Sequence, residues 1–517
     1  MIAVATLSIM MRALLLLFWV LRACQCQEED CAAPWTKTFL DSIWKEAPSL
    51  RLESAWTTSP LFFPKQDTSH ESFMNDLIQR GSSTHEQQSL QQVFQLVLKA
   101  IQRVKLQVES DIGDVLDRLL KRVNLLQIFF YMDYEESTKD AVWKRRQHRF
   151  LPSVSVKDGD LLGDALFLSH LSYVDSCAIL EDNLKAVQQG SFLLRNCTTQ
   201  SQPNQPAHFL AVRRLSPPTL WSSPPLEVLL VVRGSKQVGD FLSDAMFAGT
   251  AYQGGLAHDG ILSSARWLVD LYQDDLEYLL GATGRTNMNL WLVGHSLGAG
   301  TVALAAMEWK SRELKWLKPS CIGFGTPSVV STDLSLQYQD VVTTVVNDAD
   351  CVPRMSGGSV LRAIHRVAYH NWTDLALADY DHLLEYLRRT NPIFEAEWIH
   401  GMGGNLREWI GRRYDETVGP YLDELAQLNL SASKAMSDRL IPPGRCIHIY
   451  RDGVAWQASH TPCDFFRELD VVRNMIEDHL IPPGYYTGLL SWMREQKGNA
   501  SWHFDHDLMQ LPVFPFA

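Results

Sequence analysis

The decapeptide WLVGHSLGAG, residues 291–300, sets a serine between two glycines directly after an apolar run. The run Met288–Val293 predicts a buried strand, and the apolar positions that follow Ser296 predict a helix. A serine at such a junction lies on a tight turn, and Gly294 and Gly298 remove the clashes that this turn would otherwise create. The pattern is typical of a serine nucleophile, although an ordinary glycine-rich turn between a strand and a helix produces it as well.

Three further apolar runs predict strands, and each precedes a segment whose residues could take part in a reaction. They are Val228–Val232 before RGSKQVGDFLSD, Cys321–Phe324 before GTPS, and Val341–Val346 before NDADCVPR. Helical patterns, among them Ile261–Leu280 and Leu297–Trp309, alternate with these strands. Such alternation predicts a mostly parallel sheet with helices on both faces. Because active sites in these sheets lie at the carboxyl ends of the strands, we expect the four segments to meet there.

Acyl transfer by serine needs a base for the hydroxyl proton, a carboxylate that orients the base, and donors for the oxyanion. In hydrolases of this layout the order along the chain is serine, acid, histidine. Asp348 and Asp350 both follow a predicted strand, and their spacing alone favours neither. The backbone N–H of Leu297 is one candidate oxyanion donor, and Ser235, in the loop after an earlier strand, is the other.

Several histidines follow the two acid candidates and are available as the base. They are His365, His370, His382, His400, His448, His460, His479, His503 and His506. His448 lies within the strand pattern CIHIY, where a histidine packed in the core is expected. His479 lies where the predicted helix Leu469–Glu477 gives way to a Pro/Gly loop, a position that suits a base because it is held yet has some freedom to move.

Five segments taken together resemble the class 3 lipase family of fungal triacylglycerol lipases and sn-1-specific diacylglycerol lipases. They are VVRGSKQVGDFLSDA, AHDGIL, LVGHSLGAG, FGTPSV and VVNDADCVPR. The resemblance covers Leu161–Arg366 and resumes over Pro442–Tyr486. It implies an α/β-hydrolase fold and a serine esterase that hydrolyses acylglycerol esters through an acyl-enzyme. A phospholipase A1-type or other carboxylester hydrolase is one alternative, and a catalytically silent lipid-binding protein is another.

The resemblance also implies roles for individual residues. Ser296 corresponds to the nucleophile, Asp350 to the acid two positions before VPR, and His479 to the base. Ser235 stands where the family usually has threonine, so its hydroxyl and the N–H of Leu297 are implied to form the oxyanion hole. This chemistry needs no metal and no organic cofactor, and we expect none.

Two further points follow from the same resemblance. His258 in AHDG matches a family position that is structural rather than catalytic. The interval between acid and base is longer than in the small fungal enzymes and holds an acidic, tryptophan-bearing segment, residues 372–440. This segment predicts a helical insertion, either a cap over an acyl-chain groove or a plain helical elaboration.

The region before the lipase-like segments has its own pattern. A basic residue followed by the apolar run Ala13–Leu21 predicts a cleaved secretory signal over residues 1–26, with a signal anchor as the alternative. Residues 27–150 predict a helical region, because apolar positions recur at helical spacing between Leu90 and Val123. Residues 151–517 then form the predicted lipase domain with its insertion.

Composition and charge restrict the cellular location and the classes of partner that we expect. Nine cysteines accompany four N-x-S/T sequons, which indicates passage through a secretory pathway and either secretion or residence in its lumen. A net charge of -12 argues against nucleic acid as a partner. The expected partner is a lipid ester at a membrane or droplet interface, and the oligomeric state stays open.

Overall fold

The computed structural model describes most of the predicted lipase domain and part of the region before it. The described residues are 128, 131, 132, 134–139, 143, 152–186, 192–213, 224–235, 249–370, 440–453 and 455–497. The predicted signal, the helical pattern Leu90–Val123 and residues 372–439 of the predicted insertion lie outside them.

The chain divides into two compact units. One comprises Met1–Phe94, Asp114–Tyr134 and Arg366–Leu428; in it, Arg366 Nε donates to the Tyr131 hydroxyl at 3.0 Å. The other unit is made of Gln95–Gly113, Glu135–His365 and Asn429–Ala517. It contains the strands and helices described below, except for the residues from Arg366 onward of the helix Gly357–Tyr369, which belong to the first unit.

The described residues form twelve strands. They are β1 (Phe192–Thr198), β2 (His208–Arg213), β3 (Leu226–Val232), β4 (Gly249–Tyr252), β5 (Gly255–His258), β6 (Met288–His295), β7 (Leu317–Phe324), β8 (Val330–Ser331), β9 (Val342–Asn347), β10 (Leu440–Ile441), β11 (Arg445–Asp452) and β12 (Ala455–Thr461). Eight of them form one sheet in the order β1-β2-β3-β6-β7-β9-β11-β12, and the other four form a smaller sheet in the order β10-β8-β5-β4.

Besides the described helical residues between 128 and 143, seven α-helices accompany these strands in the described part of the chain. They are α1 (Val156–Leu171), α2 (Cys177–Ala186), α3 (Asp259–Ala282), α4 (Leu297–Ser311), α5 (Thr332–Gln337), α6 (Gly357–Tyr369) and α7 (Tyr486–Lys497). Short 3-10 helices span Cys463–Arg467 and Glu477–His479, and a π-turn spans Ile481–Tyr485.

The centre of the large sheet is parallel, from β3 through β6, β7 and β9 to β11, and antiparallel strands β2 and β12 flank it. Parallel strands are buried on both faces, which explains the continuous apolar run of β3. Val228, Leu230 and Val232 pack in one core cluster with residues of α3 and α4. Leu229 and Val231 pack in the other, with residues of α1 and α7. Successive side chains of a strand point to opposite faces, so the sheet carries a helical layer on each side.

The α/β fold predicted from the sequence is confirmed. The four strands predicted by apolar runs all form, and β7 begins four residues earlier than Cys321. The two helical patterns correspond to α3 and α4, and α4 begins at Leu297, directly after the serine.

The helix predicted over Leu469–Glu477 is wrong. Apart from the 3-10 turn that begins at Glu477, the segment consists of turns and irregular backbone. Its polar groups bind other parts of the chain: the Met475 carbonyl accepts from the N–H of Cys351, and the Asp470 carboxylate binds Arg354 at 2.7 Å. These long-range partners replace the regular ladder that a helix would have made.

Two disulfides join Cys177 to Cys197 and Cys446 to Cys463. The first ties α2 to β1, the outermost strand of the large sheet. The sequence had left these pairings open. No helix within the described residues combines the length and the apolar character that crossing a bilayer requires.

The close crossing of α4 over β3 generates a prediction. A methyl group at Gly298 would lie 2.7 Å from the carbonyl carbon of Arg233 and still closer to the Val232 carbonyl oxygen. We expect Gly298→Ala to lower the free energy of unfolding by about 1–3 kcal/mol, because the backbone must move apart. Urea unfolding of the full chain measures this difference.

Gly281→Ala is the matched control, since a methyl group there meets nothing within 4 Å. It lies inside α3, where alanine is favoured over glycine by up to about 1 kcal/mol. Equal effects of the two substitutions would contradict the crowded crossing.

Candidate active site

Ser296 forms the turn between β6 and α4. Its φ of 58° and ψ of -129° are backbone angles that residues with a Cβ rarely adopt, at a cost of about 1–3 kcal/mol. The Ser296 N–H donates to the Phe324 carbonyl at 2.8 Å, and its carbonyl accepts from the Gly300 N–H at 3.2 Å. The adjacent strand and the first turn of α4 therefore hold the serine at the carboxyl edge of the sheet.

His479 approaches this serine from far along the chain. Its Nε2 lies 2.9 Å from the Oγ of Ser296, which is 183 positions earlier in the chain. Its Nδ1 lies 2.9 Å from Asp350 Oδ1. A carboxylate only accepts hydrogen bonds, so Nδ1 carries the proton of the neutral ring and Nε2 is left to accept from the hydroxyl. All three residues are at most 3% exposed.

Asp350 follows β9, and both of its carboxylate oxygens have partners. Oδ1 accepts from the N–H of Val352 at 2.9 Å as well as from His479. Oδ2 accepts from the hydroxyl of Tyr485 at 2.7 Å. The carboxylate is thereby fixed in the orientation that meets the imidazole.

Asp348, the second acid candidate, has different partners. Both of its carboxylate oxygens lie 3.1 Å from Lys139 Nζ. Its φ of 35° places it on a left-handed turn, and its carbonyl accepts from Arg354 and from His448 Nε2. The structure thus brings Asp350, and not Asp348, against His479.

His448 and His258 have structural contacts, and His382, His400, His503 and His506 lie outside the described residues. His448 lies in β11 as expected and is fully buried. His258 caps the N-terminus of α3, because its Nδ1 accepts from the N–H of Ile261 at 3.4 Å.

The segment with Ser235 passes close to the serine turn. A methyl group at Gly234 would lie 2.9 Å from Ser296 Cβ and 2.6 Å from the His295 carbonyl oxygen, so only glycine allows this approach. Ser235 follows directly and is half-buried, and Leu297 begins α4 on the other side of the serine. Leu297 therefore adjoins Ser296 in the chain, and Gly234, the neighbour of Ser235, adjoins it in space.

His295 contributes a contact that the sequence analysis missed. Its Nε2 donates to the carbonyl oxygen of His479 at 2.7 Å, and its Nδ1 accepts from the Tyr173 hydroxyl at 2.8 Å. Burial lowers the pKa of His295 well below its usual value, and the nearby His479 lowers it further. A neutral ring with its proton on Nε2 satisfies both bonds. His295 lies within the GHSLG segment, but a histidine at this position did not by itself indicate a role.

Tyr485 was missed as well. Its hydroxyl lies 2.7 Å from Asp350 Oδ2 and 3.0 Å from the Val345 carbonyl, and it accepts from the N–H of Asn347 at 3.3 Å. Burial raises the pKa of Tyr485 well above its usual range, and the charge of Asp350 raises it further. The phenol is therefore a neutral donor to the carboxylate.

Comparison with known proteins finds a family that part of the chain resembles. Residues 229–359 match the family described as Lipase (class 3). Over 136 residues the chain is 29% identical to diacylglycerol lipase-beta of Mus musculus, a stretch that is 25% of this chain and 20% of that protein. The chain thus spans about one fifth of the length of this curated relative.

Two solved structures are similar to this chain at low identity. The native Rhizomucor miehei lipase propeptide complex has a TM-score of 0.38 at 13% identity, over 64% of this chain and 81% of that chain. The lipase from Rhizopus microsporus var. chinensis has a TM-score of 0.31 at 21% identity, over 40% of this chain and 71% of that chain.

The contacts of the two aspartates generate a prediction that separates them. We expect Asp350→Asn to slow labelling of Ser296 by a fluorophosphonate about 10³–10⁴-fold, because an amide favours the wrong imidazole tautomer. Asp348→Asn, which removes a charge but no contact to the imidazole, is the matched control and should slow labelling less than about tenfold. Labelling rates of the two folded variants measure the difference, and the reverse order would contradict the arrangement.

Proposed function

We propose that the chain is a serine esterase that hydrolyses acylglycerol esters through an acyl-enzyme, and the match of residues 229–359 to the Lipase (class 3) family supports this. One observation carries the proposal. The imidazole of His479 bridges Ser296 Oγ and Asp350 Oδ1 with two 2.9 Å contacts. This is the geometry that activates a serine hydroxyl for acyl transfer.

In the proposed first step, Ser296 Oγ attacks the ester carbonyl carbon while His479 Nε2 takes the hydroxyl proton. The Oγ–carbon bond forms, the ester C–O bond breaks, and the imidazolium returns the proton to the departing alcohol. Water then attacks the acyl-enzyme and gives its proton to His479. The fatty acid leaves, and Ser296 regains its hydroxyl.

Two sets of groups are proposed to stabilise the charges that develop. Asp350 fixes the tautomer of His479 and stabilises the imidazolium. The N–H of Leu297, with the N–H and hydroxyl of Ser235, receives the oxyanion. The crowding of Gly234 against Ser296 Cβ supports this second role, because Ser235 is the next residue in the chain.

The substrate class and the setting are part of the proposal. The family description and the diacylglycerol lipase relative support a lipid ester taken from a membrane or droplet interface. The two disulfides, the signal-like N-terminus and the sequons support a secreted or lumenal protein. We further propose residues 151–517 as the lipase domain, after a signal over 1–26 and a helical region over 27–150.

The test combines a covalent probe with product analysis. Wild type should be labelled by a fluorophosphonate and should release fatty acid from diacylglycerol or triacylglycerol in preference to phosphatidylcholine. Ser296→Ala should abolish labelling and lower hydrolysis at least about 10⁴-fold, because the attacking oxygen is lost. Ser263→Ala, which changes an exposed serine on α3, is the control and should behave as wild type.

Each alternative function predicts a different result in this test. Preferential hydrolysis of phosphatidylcholine would indicate a phospholipase A1-type enzyme instead. A folded wild type that the probe does not label would contradict the esterase proposal and favour a catalytically silent lipid-binding protein.

A further inference from the structure

Two buried carboxylates beside the proposed triad have no part in the chemistry described above. Asp348 lies two residues before Asp350, and Asp478 lies directly before His479. They are 2% and 4% exposed, so neither is solvated by bulk water. Asp348 lies in the loop that carries Asp350, and Asp478 lies in the loop that carries His479.

Asp478 connects these two loops directly. Its Oδ2 accepts from the N–H of Ala349 at 3.2 Å, and its carbonyl oxygen accepts from Asn347 Nδ2 at 3.0 Å. Because Ala349 adjoins Asp350 and Asp478 adjoins His479, these two bonds set the separation of carboxylate and imidazole. A shift of Asp478 would shift the base.

This arrangement places two acids close together in the interior. Burial raises the pKa of Asp478 well above its usual value, the charge of Asp348 raises it further, and the charge of Lys139 lowers it. Burying like charges without a counter-ion is costly. The two loops can therefore come together only if something compensates the negative charge.

Lys139 supplies the close positive charge. Its Nζ lies 3.1 Å from both carboxylate oxygens of Asp348, and its side chain is 11% exposed. Burial lowers the pKa of Lys139, but the charges of Asp348 and Asp478 more than offset this, so its pKa is raised. Arg451, at 4.0 Å from Asp348 and 47% exposed, is more distant and better screened by water.

The ammonium is held in place by its surroundings. Lys139 is the last residue of the described helical stretch 134–139, and its Nζ lies 5.0 Å from the ring centroid of Trp143, within range of a cation–π contact. Trp143 is buried, and its Nε1 donates to Asp470 Oδ2 at 3.2 Å. A packed aromatic anchor thus fixes the cation, which lies about ninety residues before the start of the class 3 lipase match at residue 229.

We propose that Lys139 is a positioning residue: its ammonium neutralises the buried pair Asp348 and Asp478 and thereby holds the acid and base loops together. The inference rests on the proposed esterase activity. It gives the region before the lipase segment a specific role, because that region completes the electrostatics of the active site. Lys139 does not contact the reacting atoms and acts through Asp348 and Asp478.

The test uses the full chain and four variants. Lys139→Met keeps the aliphatic stem and removes the charge, and Lys139→Arg keeps the charge. The double variant Lys139→Met with Asp348→Asn removes both members of the ion pair. Lys310→Met is the matched control, because Lys310 pairs with Asp340 at 3.5 Å on the surface of the same unit.

We expect Lys139→Met to lower kcat on p-nitrophenyl butyrate about tenfold at unchanged KM, since an uncompensated acid displaces the base and not the substrate. Fluorophosphonate labelling should slow by the same factor. Lys139→Arg and the double variant should recover kcat to within about threefold of wild type, and Lys310→Met should not change it. Urea unfolding of each variant separates loss of stability from loss of kcat.

Three results would overturn the inference. They are a folded Lys139→Met with wild-type kcat, a loss carried by KM alone, and a double variant that recovers nothing. If Lys139→Met does not fold, Lys139→Arg and the double variant test the inference instead, and both must fold and retain kcat. An unlabelled, inactive wild type would instead overturn the proposed esterase function, so the two failures are distinguishable.

Discussion

The meeting of one imidazole with two groups from distant parts of the chain is the constraint on which this molecule depends. His479 contacts Ser296 and Asp350 at 2.9 Å each, across separations of 183 and 129 positions. A hydrogen bond weakens steeply once the donor and acceptor drift by a few tenths of an ångström or lose alignment. Each loop end must therefore be fixed by contacts of its own. The Phe324 carbonyl fixes the serine turn, Tyr485 fixes the acid, and His295 fixes the backbone of the base.

The parallel sheet solves most of this positioning problem. Strands β6, β7 and β9 are parallel neighbours, so the serine, Gly325 and the acid follow their carboxyl ends at the same edge of the sheet. The same edge is crowded, so some of its positions accept only small side chains. A methyl group at Gly325 would lie 2.8 Å from the ring of His479 and 2.9 Å from Asp350 Oδ2. Small residues at this edge leave the space that the imidazole occupies, which links a local sequence feature to the chemistry.

The sequence predicted what local patterns determine. Continuous apolar runs identified the central strands, and two glycines around Ser296 indicated the turn, because both depend on neighbouring residues alone. The choice between Asp348 and Asp350 did not follow from spacing, since both adjoin the same strand end and differ only in long-range partners. The failure at Leu469–Glu477 has the same origin: apolar spacing favoured a helix, while Cys351 and Arg354 bind the segment in another conformation. Lys139 gave no signal at all, because an ion pair across 209 positions leaves no trace in local sequence.

Buried charge explains why the base loop has the conformation it has. Asp478 adjoins His479, the proposed base, and its burial, followed by the charge of Asp348, raises its pKa well above the usual value, which favours the protonated form. Its carboxylate is nevertheless useful, because it accepts the Ala349 N–H and so ties the base loop to the acid loop. An apolar residue at this position would avoid the desolvation cost but could not make that bond, and the Ala349 N–H would then be buried without this acceptor. The charged solution works only with a compensating cation from outside both loops, so the geometry of the proposed active site depends on a residue well before the first strand of the sheet.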